Sequence, residues 1–381
     1  MIDGERQRRR VQVFLGNFEK LPTKRSAQNE MMDVLAAVNK PTYHPRTTST
    51  FREFAKQWIA DCETRKRKPV KPSVISNWKS ILRNHVVPVF GEMPLSEVGN
   101  RAMKVLVAGL ADKKLSPATI KNITLVVKLV KASAIDDDGN ELFPTKWNHE
   151  FIDMPVIDER QQRKPSFTGD QVEKIVEATT GRLQMAAVLF AATGLRAGEL
   201  LGLEVRHFDG TSVRVEQGLW KGKICDPKTP NARRIIDLHP DVSGLLRQFI
   251  GTRTKGFLFQ TSSHKPMNQR NLAGELYKAL DMLEIPRCGF HAFRRYRNTF
   301  LRNSLCPDGL LKFWMGHAAK DMSDRYDRVR EDVEFRREVA RSMGLGFALL
   351  KALTSAGPKG EKKGHSGVIG RQAEAAAVLS A

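Results

Sequence analysis

Apolar side chains recur at helical spacing along most of the chain. Phe51, Phe54 and Trp58 form one stripe behind Thr50 and Glu53, a pair spaced as a capping box. A second helix is predicted over 74–85, with Ile75, Trp78, Ile81 and Leu82 facing inward. Asn100 and the pair Ser116-Pro117 read as the starts of two more, since proline suits a first helical position. Thr168 with Gln171 caps a further helix, and the apolar run over 183–192 reads as a buried one. Helices are then expected over 240–250, 270–284, 291–304, 308–315 and 320–342. Between 212 and 238 the period shortens. Val213-Arg214-Val215 and the run 234–238 read as strands joined through Pro227, Lys228, Thr229 and Pro230, hence a small hairpin-based sheet. The expected fold class is mainly α with a small β-sheet.

The same pattern divides the chain. Residues 1–44 read as a small appended module, with a strand over 11–15, a turn at Gly16-Asn17, and Ala27, Met31, Val34, Leu35 and Val38 at helical spacing. So short a piece buries little core alone. A linker over 41–46 leads to a helical domain, 47–160, in which 136–140 is a loop. The polar, basic stretch 160–165 links it to a second domain, 166–343. From Gly344 onward Gly, Ala, Lys and Ser dominate, so 344–381 reads as a largely disordered tail. No internal repeat is visible.

Composition narrows the partner. Hydrophobic residues make up 41% of the 381, enough for true cores. Lys plus Arg outnumber Asp plus Glu by 63 to 42, a formal charge of +21, which calls for a polyanion. The apolar run near 183–195 falls short of the ~20 residues a membrane span needs, and no secretory leader pattern stands at the start. Cys62, Cys225, Cys288 and Cys306 lie far apart without metal-ligand spacing, as free thiols of a reducing cytoplasm do. Nucleic acid is the partner expected.

Four places in the second domain carry chemistry. Arg196 follows a buried run, where a guanidinium needs an anion; Glu199, three residues on, is the ordinary partner. Lys228 stands at the expected hairpin tip, with Lys221 and Lys223 nearby; most turn lysines are simply solvated. His291 and Arg294 share a helical face and aim an imidazole and a guanidinium at one target, or form a basic surface. Gly316 suits a helix end and puts His317 in the next turn, nine residues before Tyr326. Tyr326 is one of four tyrosines and sits among Asp324, Arg325, Asp327 and Arg328. Together these are what phosphoryl transfer to a side chain needs. Two arginines clamp phosphate oxygens, histidines donate hydrogen bonds or move protons, a lysine protonates the leaving oxygen, and a phenol attacks. No metal-ligand cluster and no Gly-rich phosphate loop is present in the sequence, so no cofactor is expected.

In this order the residues resemble the tyrosine recombinases, or phage-type integrases. The resemblance rests on Arg196 in Thr-Gly-Leu-Arg-Ala-Gly-Glu-Leu, Lys228 in Pro-Lys-Thr, His291 and Arg294 in His-Ala-Phe-Arg, His317 in Met-Gly-His, and Tyr326. It spans about 50–340 and implies a helical core-binding domain that clamps DNA, followed by an α-rich catalytic domain. His-Ala-Phe-Arg departs from the family's His-Asp-Leu-Arg, and Phe313-Trp314 is bulkier than usual before Gly-His. The module 1–44 is arm-like but shorter than a full arm-binding domain.

The resemblance also implies a mechanism. Tyr326 attacks the scissile phosphate and leaves a 3′-phosphotyrosine and a 5′-hydroxyl. Arg196 and Arg294 stabilise the transition state, Lys228 is the general acid, and His291 and His317 assist. Double-stranded DNA would be bound by a homo-oligomer, four protomers in a synapse, exchanging a C-terminal segment for which 330–343 is the candidate. The setting implied is cytoplasmic, at the nucleoid, in a phage or another mobile element. Two alternatives stay open: a type IB topoisomerase-like relaxing activity, and a DNA-binding protein without activity. Arg65, Lys66, Arg67, Lys68, Arg160, Arg163 and Lys164 are expected to meet backbone phosphates, as is the pair Lys113-Lys114, for which a solvated face is the alternative.

Overall fold

The computed structural model describes residues 14–38, 49–158, 160, 164–227, 232–317 and 328–349. It forms two compact units, 1–162 and 163–381, each with its own apolar core.

The first unit is helical. Helix α1, Lys24–Val38, exposes Met31, Met32 and Leu35. Of the strand expected over 11–15, Phe14 and Leu15 are irregular and the rest lies outside the described residues; the turn after them runs from Asn17, whose carbonyl accepts from Lys20 N. Helix α2, Phe51–Thr64, starts on the expected capping box of Thr50 and Glu53 and buries Phe51, Ala55, Trp58, Ile59 and Cys62. Helix α3, Pro72–Ile81, starts at Pro72, and the chain then widens into a π-helical turn, Leu82–Val86, before α4, Val87–Phe90. The wide turn ends just before Pro88, which has no N–H for the Asn84 carbonyl and whose ring crowds it, and Val87 N bonds Leu82 O five residues back.

Helix α5, Asn100–Asp112, is capped by Gly99 rather than Asn100. The Asn100 amide ties a distant loop instead, donating to Lys146 O and accepting from Asn148 N, both at 3.0 Å. Helix α6, Pro117–Ala132, has Ser116 as its cap, as expected, and α7, His149–Ile152, closes the unit.

The second unit opens with α8, Gly169–Ala178, behind the Thr168–Gln171 capping box, and α9, Gly181–Thr193, buried along nearly its whole length. Phe190 of α9 stacks on Phe290 and Phe293 at 4.8 and 5.9 Å between ring centroids. Helix α10, Ala197–Leu201, follows at once. Four strands come next: β1, Ser212–Val215; β2, Gly218–Trp220; β3, Lys223–Cys225; and β4, Arg234–Asp237. β1 pairs antiparallel with β4, as expected, in a register that sets Val213 opposite Ile236. A second hairpin, β2–β3, unforeseen from the sequence, is inserted between them and turns at Lys221-Gly222, while the expected connection through 228–230 lies outside the described residues. Strands of three residues carry too little alternation to be read from sequence.

Helices α11, Pro240–Ile250, α12, Gln269–Met282, α13, His291–Asn303, and α14, Asp308–Met315, complete the core. The helix expected over 320–342 is shorter among the described residues: 328–331 form a turn, and α15, Val333–Ser342, begins only where Asp332 caps it. Residues 344–349 are not a loose tail. Leu345 is buried, and the carbonyls of Gly344 and Leu345 accept from Arg297 and Tyr296 of α13. No described helix is long and apolar enough to cross a membrane.

Candidate active site

Helix α9 ends at Gly194 in a left-handed conformation, φ +67°, and the chain reverses there. A Cβ at Gly194 would lie 2.7 Å from Met315 Cε and would sit on a left-handed backbone, so glycine is favoured on both counts. The reversal makes Arg196 the N-cap of α10. Its guanidinium donates to Glu199 Oε1 at 2.6 Å, and its own N–H donates to Oε2 at 3.0 Å. Glu199 is nearly fully buried. Gly198 lets α10 sit backbone-to-backbone on β2, since a Cβ there would meet Leu219 O at 2.9 Å. Arg196 is thus paired as the spacing suggested, yet its side chain stays 29% exposed and can still meet an external anion.

Arg294, on the first turn of α13, is buried and held by two helix ends. It donates to Gly194 O at 2.8 Å, after α9, and to Met315 O at the end of α14. Burial, reinforced by the charges of Arg196 and Arg234, lowers its guanidinium to about 10, so it stays cationic at neutral pH. His291, one turn before, is exposed, and both residues line a cavity of about 360 Å³ with Ser166, Asn298, Thr299 and His317. Asn298 was not singled out in the sequence; its amide Oδ1 is buried and has no partner among the described residues.

His317 follows Gly316, the left-handed cap of α14. Partial burial, then the charges of Arg294, Arg196, Arg302 and Arg234, push its imidazole below the ordinary histidine range, so it is neutral near pH 7. The site combines cationic donors with a neutral imidazole, an arrangement that binds an anion and leaves a group able to take or give a proton.

Behind this layer lies one the sequence did not disclose. Arg234, whose side chain is fully buried, donates to Glu199 Oε2 at 3.0 Å, to Ala232 O at 3.0 Å and to Trp314 O at 2.6 Å. Burial raises the Glu199 carboxyl, but Arg234 and Arg196 outweigh it and hold the group ionised below its ordinary value. Asp237 Oδ2 accepts from Trp314 Nε1 and from Arg336 Nε, both at 2.9 Å, and both side chains of the Asp237–Arg336 pair are 1% exposed. Apart from Ala232, these partners stand 35 to 99 residues apart, beyond any local pattern.

Tyr326 and Lys228 lie outside the described residues, as does Arg163. Lys221 is at the β2–β3 tip, 5.0 Å from the Trp220 ring centroid, and Lys223 is an exposed residue of β3. Arg65, Lys66, Arg67 and Lys68 are all exposed in the loop after α2; Arg160 and the pair Lys113-Lys114 are exposed too. Lys164, expected as a backbone-phosphate contact, lines the same cavity as His291 and Arg294.

Residues 165–332 match the model of the phage integrase family, and residues 50–104 match that of the phage integrase N-terminal SAM-like domain. The integrase of Mycobacterium phage D29 is 21% identical over 312 residues, covering 78% of this chain and 79% of its own. A XerC-like tyrosine recombinase of Caldanaerobacter subterraneus subsp. tengcongensis is 22% identical over 329 residues, covering 78% and 83%. Among solved structures, the Tn1549 transposon integrase in complex with transposon right end DNA aligns with a TM-score of 0.59 at 24% identity, covering 76% of this chain and 98% of that one. A lambda integrase dimer bound to a COC′ core site aligns with a TM-score of 0.55 at 16% identity, covering 81% and 88%. The fold is therefore that of the integrases. With both domain models matched in order over more than half of its residues, and the arginine site inside the 165–332 match, the chain belongs to the phage integrase family and is a tyrosine recombinase.

Proposed function

We propose that this recombinase is a site-specific DNA integrase that cleaves and rejoins strands through a 3′-phosphotyrosine on Tyr326. The observation that carries the reading is the convergence of Arg196, Arg294, His291 and His317, from three separate segments, on one cationic site. In the proposed step the Tyr326 phenol oxygen forms a bond to phosphorus and the bond to the 5′-oxygen breaks. Lys228 gives its proton to that oxygen, and the phenol proton passes to a neutral imidazole, for which His317 is suited. Arg196 and Arg294 neutralise the charge on the non-bridging oxygens. Attack by a 5′-hydroxyl on the phosphotyrosine reverses the chemistry, so the bond energy is kept and no nucleotide is consumed.

The partner is double-stranded DNA, held in the first instance by Arg65, Lys66, Arg67, Lys68, Arg160, Arg163 and Lys164 through backbone phosphates. The working assembly is a tetramer on two duplexes. Support comes from the likeness to a lambda integrase tetramer bound to a Holliday junction, aligned with a TM-score of 0.54. The domain limits that go with this reading are an arm-like module over 1–44, a core-binding domain over 47–160 and a catalytic domain over 166–343.

The test uses a pool of random-sequence duplexes, each with a nick that lets the short 5′-hydroxyl fragment escape. Full-length chain should trap DNA as an adduct that survives a denaturing gel, and sequencing the trapped DNA gives the preferred site. Tyr326→Phe should bind the same DNA and form no adduct. An adduct on Tyr296 or Tyr277 in that variant would overturn the assignment. Supercoil relaxation by a monomer, without strand exchange, would favour the topoisomerase reading.

A further inference from the structure

We infer that Arg336, Asp237 and Trp314 are positioning residues that couple the segment after Tyr326 to the arginines of the site; this rests on the function proposed above. The hydrogen bonds form one unbroken chain. Arg336 of α15 donates to Asp237 Oδ2, and Trp314 Nε1 donates to the same oxygen. The Trp314 carbonyl accepts from Arg234, Arg234 holds Glu199, and Glu199 holds Arg196. A branch leaves at the next residue, where Met315 O accepts from Arg294. Both arginines that face the phosphate therefore hang from the last turn of α14, and that turn is fixed through the Trp314 indole. At the other end, Arg336 also donates to the carbonyls of Val329 and Arg330, three and four residues past Tyr326.

Stability alone does not account for this construction. A buried ion pair seldom stabilises more than well-packed apolar side chains of the same volume. α15 already brings Val339 and Ala340 to the core and could dock on such contacts alone. What the pair adds is direction. Asp237 can serve Trp314 and Arg336 together only when α15 is seated and the end of α14 is in register. With α15 unseated, Trp314 loses a shared anchor, and Arg234 and Arg294 lose the fixed carbonyls that aim Arg196 and the cavity. A misplacement of even about 1 Å at such a site costs on the order of 100-fold in rate.

The experiment compares full-length wild type, Arg336→Lys and Trp314→Phe on the duplex that the wild type selects from the random pool. Arg336→Lys keeps the charge but loses the Nε donor. Trp314→Phe removes only the indole N–H and some volume, and it carries the test if Arg336→Lys does not fold. Single-turnover cleavage at saturating DNA should slow by roughly 100-fold in either variant, with duplex affinity changed by less than about threefold. The same pair of rates is then measured with a methylphosphonate at the scissile position. That centre starts neutral and develops one negative charge where the phosphodiester develops two, so the arginines have less to neutralise and the defect should shrink by about tenfold or more. Equal slowing on both substrates, or wild-type cleavage in both variants, overturns the inference. A wild-type chain that traps no DNA sinks the functional reading instead.

Discussion

Glu199 decides how much positive charge the site can hold. It is a buried carboxylate between Arg196 and Arg234, with Arg294 close enough to feel all three. Glu199→Gln keeps the shape but sets an amide between two guanidinium groups. Breaking a buried ion pair from one side costs about 3–5 kcal/mol, so that loss is expected in denaturant unfolding at pH 7. The pH dependence has a definite sign. The folded Glu199 carboxyl ionises below its ordinary value of 4.5, so its contribution is complete above that pH and is lost as pH falls through the lower, folded value. The stability gap between wild type and Glu199→Gln should therefore narrow steadily as the pH drops below 4.5. A constant gap down to acid denaturation would mean that Glu199 is not the ionised hub described here.

At the scale of elements, the fold rests on helix ends as much as on helices. Gly194 and Gly316 close α9 and α14 in left-handed conformations, and the carbonyls of Gly194 and Met315 at these two ends hold Arg294. Gly194→Ala should cost about 1–3 kcal/mol for the left-handed backbone, and more for pushing Met315 aside. A double-mutant cycle with Met315→Ala separates the two: the steric part vanishes in the pair and the backbone part remains. If Met315→Ala relieves nothing, the close approach at 2.7 Å is not what makes glycine necessary.

Much of this level was legible in the sequence. Thr50, Ser116 and Thr168 announce their helices through local capping chemistry, and Gly316 announces the end of α14. His291 and Arg294 share a face because one helical turn separates them. The β2–β3 hairpin, the π-helical turn before Pro88 and the turn at 328–331 were not legible, since three to five residues carry no usable period. Arg234, Asp237 and Arg336 were missed for a different reason. In sequence they are ordinary charged residues, and only long-range folding buries them against Glu199, Trp314 and one another.

The whole molecule carries +21, and how that charge is spent on DNA can be measured. Each phosphate neutralised by Lys or Arg releases counterions, so the affinity for duplex DNA falls with salt at a slope of about 0.9 per contact. Exposed loops such as Arg65-Lys66-Arg67-Lys68 supply this attraction without reading sequence, whereas the buried Arg234, Arg297 and Arg336 cannot, being committed to internal partners. Replacing Arg65, Lys66, Arg67 and Lys68 together by alanine should lower the slope by about 3 to 4 on a labelled duplex of arbitrary sequence. Thermal stability should barely move, because no core residue is touched. The preference for the selected site over arbitrary DNA should also persist, since phosphate contacts bear on every sequence alike. An unchanged slope would mark the loop as a solvated face and shift the load to the stretch 160–164, which ends at Lys164 in the cavity lined by His291 and Arg294. The two outcomes differ in mechanism: a grip that lies far along the chain from the chemistry, or one that continues into it.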